Sequence, residues 1–355
     1  MHGVDTKAPR RSGLAVDLTL LALIGVLLVA ALGAGGAVLY KDFYGPSAFV
    51  TRYLDLLSSG RAADALRVPG VAVDRETLDQ AGITPTASEA LLRQAALAPL
   101  TRVEVESEKQ HDGVTEVTVS YRAAGHPGTT TFAVEQDGWE GVAPRWRFER
   151  SPLAVVDLTL RGADRFSVNG FELNRAQVSV AGTEAADLDP LPLLVFTPGV
   201  YSVTVDTPIS TADGAGVLAD SPLATTPLDV QTEPTKQFVD VVQEQVEEFL
   251  TACTSQQVLQ PTACPFGLTV QNRIANLPTW SITRQPTVTV VPDGGDWRIP
   301  AAEGVAHVEV EIKSLFDGSV QPIAEDVPFR VDGSIVILAD GTASIRVSSP
   351  DVPAG

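Results

Sequence analysis

The two cysteines of the chain, Cys253 and Cys264, are the residues whose type and spacing point most directly to chemistry. They lie in the segment TACTSQQVLQPTACPFG and bracket a loop of about 12 residues, which a disulfide would stabilise by about 3 kcal/mol. A zinc site needs more ligands, and the four histidines are scattered without ligand spacing. A reactive thiol needs an activating base, and none lies nearby in the sequence. We therefore predict a structural disulfide and no metal site.

Three further side chains could line a ligand cleft: Trp280, Trp297 and His307. His307 lies in the segment GVAHVEVEI, whose alternation predicts a strand. Acid–base catalysis needs a carboxylate or a His–Asp pair inside an apolar pocket. The chain contains no G-x-S-x-G or H-E-x-x-H motif, so we predict no catalytic and no cofactor-binding residue. Packing in a core is the competing interpretation for both tryptophans, and a structural role for the histidine.

The position of these residues relative to a membrane depends on residues 18–40, which form an uncharged apolar run. A helix of that length spans about 34 Å, enough to cross about 30 Å of hydrocarbon. Lys7, Arg10 and Arg11 precede the run and favour a cytoplasmic N-terminus. We predict a cytoplasmic tail at 1–17, a single transmembrane helix at 18–40 in the plasma membrane, and an extracellular remainder. A cleaved signal peptide is the alternative, although signal peptides usually have apolar regions of about 7–15 residues. A buried core helix is a third interpretation.

The chain is strongly acidic, with a net charge of −19. The first 17 residues sum to +1, so the predicted extracellular part carries the whole negative charge. Such a field repels nucleic acids and anionic lipid headgroups, which excludes nucleic acid as a partner. An exported location also agrees with the predicted disulfide, because disulfides persist in oxidising compartments.

Beyond the run, the hydrophobic period changes twice from helical to strand-like. In 43–152, PSAFVTRYLDLLSSGRAADALR predicts a helix, which SGR can break into two pieces, and SEALLRQAALA predicts another. The runs TRVEVES, TEVTVSYRA, GTTTFAVEQ and RWRFERS predict strands. In 233–350, a helix at 236–252 precedes the strands of WSITRQPTVTVV, GVAHVEVEIKS, EDVPFRVDG, SIVILADG and ASIRVSS. Helices followed by antiparallel strands predict the α+β class, with two such domains.

The segment 153–232 between these domains has no helical period. Its short alternating runs AVVDLTLRG, RFSVNGFEL, AQVSVAG and GVYSVTVDT predict a small all-β sandwich, which ends in a Pro/Thr-rich connector. Tight turns are predicted at five Asp-Gly pairs that sit between apolar runs, since glycine accepts a positive φ. These pairs are 137–138, 293–294, 317–318, 332–333 and 340–341.

The order of a helix and then an antiparallel sheet, in Ser47 to Ser151 and again in Thr235 to Ser348, resembles the nuclear-transport-factor-two-like cone fold. The resemblance implies two domains, each with a long curved sheet. The segment VNGFEL…VFTPGVYSVTV resembles the PEGA-like β-sandwiches of bacterial envelope proteins. The whole order resembles the teicoplanin-resistance-associated membrane proteins of Gram-positive bacteria, which implies one span and stacked extracytoplasmic modules. The cysteine-rich cytoplasmic zinc ribbon common in that family is absent, because residues 1–17 contain no cysteine.

These features lead to one functional expectation and two alternatives. We expect a non-enzymatic envelope protein that presents binding or spacer modules toward a cell-wall component or an envelope protein. The first alternative is a cone-fold enzyme or small-ligand-binding protein with an apolar pocket. The second is a scaffold that forms weak homodimers through its span, where Ala30/Ala34 and Gly33/Ala37 have small-xxx-small spacing.

Overall fold

The computed structural model of the chain describes residues 19–26, 40–186, 188–338 and 342–348. In these ranges the protein is a mixed α+β structure whose strands form four sheets, which confirms the predicted class. No helix within the ranges is both long enough and apolar enough to cross a membrane. The predicted tail at 1–17 and most of the 18–40 run lie outside the described residues.

The first unit packs one long helix on a four-stranded antiparallel meander in the order β1-β2-β3-β4. Phe49, Tyr53 and Leu57 recur at helical spacing and are buried against the sheet. The elements are α1 (Pro46–Ser58), α2 (Ala62–Ala65), α3 (Arg75–Gln80), β1 (Leu100–His111), β2 (Val114–Ala123), β3 (His126–Glu140) and β4 (Ala143–Phe148).

The segment SEALLRQAALA is not the predicted helix but two 3₁₀ turns, at Glu89–Leu91 and Gln94–Ala96. The backbone of Ser88 hydrogen-bonds in both directions to a strand of the second unit, with the Ser88 nitrogen 2.8 Å from the oxygen of Pro192. Leu91 and Ala96 are fully buried in the core of that second unit. Tertiary pairing therefore overrides the helical pattern of this segment.

The second unit holds two sheets that enclose one apolar cluster. The three-stranded sheet has the order β11-β5-β8, with β11 parallel to β5, and the five-stranded sheet has the order β12-β10-β9-β6-β7. The elements are β5 (Leu153–Arg161), β6 (Arg165–Val168), β7 (Phe171–Asn174), α4 (Arg175–Val178), β8 (Leu191–Phe196), β9 (Gly199–Asp206), β10 (Ser210–Ala219), β11 (Thr225–Gln231) and β12 (Glu233–Pro234).

One predicted strand of this unit, AQVSVAG, is wrong, because its first residues form the helical turn α4. The Asn174 side chain accepts a hydrogen bond from the backbone nitrogen of Ala176, and Gln177 reaches back to the Asn174 backbone nitrogen. This capping box starts a helix where the alternation of the sequence favours a strand.

The third unit packs the 19-residue helix α5 on a six-stranded sheet. The Thr235 hydroxyl accepts from the backbone nitrogen of Phe238 at 3.1 Å and caps the helix. Strands β16 and β17 have 18 residues each, and β14 and β15 both pair with β16. The elements are α5 (Lys236–Thr254), β13 (Arg273–Ile274), β14 (Thr279–Arg284), β15 (Val291–Asp293), β16 (Asp296–Lys313), β17 (Val320–Ile337) and β18 (Ala343–Ser348).

The five Asp-Gly pairs for which turns are predicted have different structures. The pairs at 293–294 and 317–318 lie between paired strands, and their glycines have positive φ, as predicted for turns. The pair at 137–138 lies inside β3 at a register shift, and 332–333 continues β17 without a turn. The pair at 340–341 lies outside the described residues.

The apolar core of the first unit continues into the second. Leu153 and Val155 of β5, with Leu194 and Phe196 of β8, belong to the same buried cluster as Tyr53. The neighbouring side chains on these strands face the other way, into the core of the second unit. Strands β5 and β8 are therefore buried on both faces, and the first two units share one continuous core.

Candidate functional site

The predicted cysteine pair is present, with the two sulfur atoms of Cys253 and Cys264 at disulfide-bonding distance. Cys253 lies in the last turn of α5 and is buried, and the Cα atoms of the pair are 5.8 Å apart. The loop between them is also held by Gln256, whose side chain bonds both the nitrogen and the oxygen of Thr262. The pair ties an irregular loop to a helix end, which is a structural role.

The two tryptophans of the predicted cleft are core residues. Trp280 is 4 % exposed, its Nε1 donates to the oxygen of Val258 at 2.8 Å, and its ring lies 4.9 Å from that of Phe266. Trp297 is 1 % exposed and packs edge-on against Phe238. These contacts place both rings in the packing of α5 on the sheet, not in a cleft.

His307 does not lie on the same face of the sheet as the two tryptophans. A register shift between Ile299 and Ala302 reverses the side-chain alternation of β16, so that Trp297 and Val308 point inward while His307 points outward. The His307 Nδ1 atom lies 2.7 Å from Oδ1 of Asp326, on a face where that carboxylate is 66 % exposed. The structure therefore does not bring the three predicted residues together.

The outward face of this sheet aligns Ser281, His307 and Asp326 across three strands, in the order of a nucleophile, a base and an acid. Within the described ranges no hydrogen bond joins Ser281 to His307. Nucleophilic catalysis requires that bond and a site shielded from water, so the row on its own does not form a triad.

The interior of the first unit is likewise filled by its own side chains. The rings of Tyr53, Phe132 and Phe148 meet at centroid distances of 5.1 to 6.2 Å, and all three residues are fully buried. Among the described residues there is also no group of three or more His, Cys, Asp or Glu side chains arranged to hold a metal ion. The helix-facing sides of both sheets are thus packed cores.

An open cavity lies instead between the second and third units. It has a volume of about 960 Å³ and runs along β6, β7 and β9 to the loop 207–210 and to Ile337 of β17. We call it the junction groove. Because β7 is the edge strand of its sheet, one wall of the groove also borders a strand edge.

The floor of the junction groove is a strip of polar side chains on the outward face of the sheet. Cross-strand register places Ser167 beside both Glu172 and Thr204, while Arg165 and Asp206 extend the strip. Arg165 is exposed and has no ion-pair partner among the described residues. We call these five residues the polar strip. It offers hydroxyl, carboxylate and guanidinium groups to a polar ligand.

The end of the groove is held by a buried arginine. Arg175 is 4 % exposed, and its guanidinium donates to Oδ1 of Asp164 at 3.1 Å and to the oxygen of Leu160 at 2.7 Å. Its remaining donors reach the oxygens of Ala186 and Asp189, each at 3.3 Å. Because every bond is made within the unit, Arg175 positions the loop at 162–164 and is not free for a ligand.

Gly162 sets the distance between the two units at this point. Its φ is +79°, and a Cβ atom there would lie 2.5 Å from Oγ1 of Thr232 and 2.8 Å from Cζ2 of Trp297. Only glycine permits both this backbone conformation and this close approach. The Trp297 ring is therefore packed against the second unit as well as against α5.

Sequence reasoning missed the junction groove, although part of its pattern is visible. In RFSVNGFEL the polar residues Arg165, Ser167 and Glu172 alternate with the buried residues Phe166 and Leu173. That alternation gives the outward face of a hairpin. The pairing with β9 and the proximity of Ile337 depend on long-range contacts that no local pattern contains.

Comparisons of the chain with protein-family models, with curated proteins and with solved structures found no match in any of the three.

Proposed function

We propose that this protein is a membrane-anchored, extracytoplasmic bacterial envelope protein without enzymatic activity, which binds a cell-wall component in its junction groove. In this proposal residues 18–40 form the anchor and the N-terminus is cytoplasmic. The architectural resemblance to the teicoplanin-resistance-associated membrane proteins is part of the same proposal.

The anchoring half of the proposal rests on sequence and on the cysteine pair. An uncharged run of this length after a basic tail favours insertion with the N-terminus inside. Paired cysteines agree with an oxidising compartment outside the membrane.

The binding half rests on one observation, the position of the cavity. The helix-facing cores are filled by aromatic rings, while the open volume lies over the hydroxyl and charged groups of the polar strip. A site with this lining favours a ligand rich in hydroxyl and amide groups, such as a glycan strand or a wall peptide. The exposed guanidinium of Arg165, which has no ion-pair partner in the part of the chain that the structure describes, adds a donor for a carboxylate.

Co-sedimentation with purified Gram-positive cell-wall sacculi tests the binding half. The full chain in mild detergent should sediment with the sacculi, and Thr204→Trp should weaken this binding by about tenfold or more. The tryptophan would occupy the groove beside Ser167 and displace at least two ligand hydrogen bonds of about 1 kcal/mol each.

Thr279→Trp is the matched control, because Thr279 is an exposed strand threonine in the third unit, away from the junction groove. It should bind sacculi as the wild type does. No sedimentation of the wild-type chain, or equal binding by Thr204→Trp, would refute the groove as a wall-binding site.

A further inference from the structure

Five exposed apolar side chains lie where the uncharged run of residues 18–40 ends. Tyr40, Phe43 and Tyr44 are 40 %, 68 % and 43 % exposed, and they share one face of a helical turn because their spacing is i, i+3 and i+4. Trp139 and Val142, at the tip of the β3–β4 hairpin, are 62 % and 80 % exposed. We call these five residues the aromatic collar.

The two halves of the aromatic collar come from distant parts of the chain and are joined by direct contacts. The hydroxyl of Tyr40 donates to the backbone oxygen of Val142 at the hairpin tip. The Nε1 atom of Trp146, at the base of the hairpin, donates to the oxygen of Tyr44 at 2.8 Å. The rings of Tyr40 and Tyr44 are 5.2 Å apart. The turn and the hairpin therefore present one surface.

An ion pair fixes this surface to the body of the first unit. Lys41 Nζ lies 2.9 Å from Oε1 of Glu108, and the Ser47 hydroxyl donates to the other carboxylate oxygen at 2.6 Å. Burial raises the pKa of Glu108, but the bonds from Ser47 and Lys41 outweigh it and leave this pKa below its usual value. Gly45 lets the turn join α1, since a Cβ atom there would lie 2.3 Å from the oxygen of Lys41.

The composition and the position of the aromatic collar indicate which surface it contacts. Tyrosine and tryptophan concentrate at membrane–water interfaces, where an apolar ring and a polar edge are both satisfied. Tyr40 is itself the last residue of the uncharged run, so a bilayer that holds the run necessarily ends beside the collar. The hairpin tip touches Tyr40 and is then at the depth of the headgroups.

We propose that the aromatic collar docks on the lipid headgroup region of the bilayer and holds the first unit against the membrane in a fixed orientation. The inference rests on the proposed anchoring of residues 18–40. It goes beyond anchoring, because a flexible tether alone would leave Trp139 and Val142 in water. Asp42 and Glu140 carry no ion-pair partner among the described residues, so zwitterionic lipid is the matching surface.

Site-directed spin labelling of the full chain in phosphatidylcholine vesicles tests the proposal. Because both native cysteines are paired, Val142→Cys supplies a single labelling site under non-reducing conditions. Its matched control is Val180→Cys, at a valine of the second unit that is 71 % exposed. In intact vesicles, the label at 142 should be less accessible to a water-soluble nickel relaxant than it is in the soluble fragment that a protease releases from the vesicles. The label at 180 should be equally accessible in both.

Flotation of the vesicles on a density gradient separates this proposal from the anchoring on which it rests. A chain that floats but shows equal nickel access at 142 and 180 overturns the collar and leaves the anchor standing. A chain that does not float overturns both.

Tryptophan fluorescence gives a second measurement that does not need a label. Vesicles of brominated phosphatidylcholine should quench part of the wild-type emission, and Trp139→Phe should reduce that quenched part. Trp280 and Trp297 are buried and serve as the unquenched background. The half-buried Trp146 bonds to Tyr44 beside the collar and accounts for the quenching that remains. Undiminished quenching in Trp139→Phe, or no quenching of the wild type, contradicts the proposal.

Discussion

Two buried tyrosines donate hydrogen bonds to consecutive residues at the end of β8. The Tyr53 hydroxyl, on α1, donates to the oxygen of Thr197 at 3.0 Å and lies 3.4 Å from the oxygen of Pro152. The Tyr201 hydroxyl donates to the oxygen of Phe196 at 3.0 Å. Burial raises the pKa of Tyr53 well above 10.0, with a smaller contribution from Tyr201, and burial also raises the pKa of Tyr201. Both hydroxyls are therefore neutral donors in the folded protein.

These shifts predict a loss of stability at alkaline pH. Below about pH 10 both tyrosines are protonated in the folded and the unfolded chain, so they add no pH dependence. Above about pH 10 the unfolded chain releases these protons while the folded chain keeps them, and stability falls by about 1.4 kcal/mol per pH unit for each tyrosine. Tyr53→Phe should remove one such contribution, which urea unfolding between pH 9 and about 11 would measure.

The control for that measurement is Tyr44→Phe, since the ring of Tyr44 is 43 % exposed. It should keep the wild-type pH dependence. At neutral pH, Tyr53→Phe should cost about 1 kcal/mol for its lost hydrogen bond. An unchanged alkaline slope in Tyr53→Phe would contradict the assignment of this titration to the buried junction.

His307 illustrates which properties of a single residue the sequence predicts and which it does not. Its alternation with Val308 and Val310 correctly predicts a strand, and the two tryptophans are hydrophobic enough to predict burial. The relative facing of Trp297 and His307 depends on the register shift near residue 300. Across this shift the buried positions of β16 change from odd numbers, up to Ile299, to even numbers, from Ala302 onward. The prediction of a shared cleft does not take that change of parity into account.

Elements were predicted well where packing and propensity agree. The helix predicted at 236–252 is α5, whose buried stripe and threonine cap both favour it. The prediction is wrong where a local hydrogen bond determines the secondary structure, as in the capping box of α4. It is also wrong where pairing with a distant strand determines it, as in the turns after Ser88. Local pattern thus predicts the α+β class and the long elements, while the short connecting elements depend on tertiary contacts.

The disulfide stabilises the third unit through one such connecting element. Phe266, just after Cys264, packs its ring 4.9 Å from Trp280 and 5.4 Å from Phe329. Reduction should lower the free energy of unfolding by about 3 kcal/mol, because the loop regains its freedom mainly in the unfolded chain. Chemical denaturation followed by tryptophan emission, with and without reductant, measures this change.

The Cys253→Ala/Cys264→Ala double variant supplies the control for reduction. It should have the stability of the reduced protein, and reductant should not change it further. An equal unfolding midpoint for oxidised and reduced wild type would show that the loop is held by its packing alone.

At the scale of the whole molecule, the buried clusters divide the chain differently from its secondary-structure pattern. The first two units share a continuous core through β5 and β8, whose two faces are both buried. The third unit has its own cluster around Val242, Val246 and Trp297, and it meets the second unit at Gly162 and Ile209. The first two units therefore form one body with a shared core, and the third unit is a separate body on the other side of the junction groove.

This division predicts which fragments fold alone. Residues 233–355, produced under oxidising conditions, should unfold in one cooperative thermal transition, because every fully buried residue of their cluster lies within this fragment. Residues 43–232 should also unfold cooperatively.

Residues 43–152 alone should be molten or aggregate, since they lose Leu153, Val155, Leu194 and Phe196 from their core. Each such large apolar side chain contributes about 1.5–3 kcal/mol when buried, and a domain has only about 5–15 kcal/mol of net stability. Calorimetry of the three fragments is the measurement, and a cooperative transition of 43–152 with the midpoint of 43–232 would show that the shared core is dispensable.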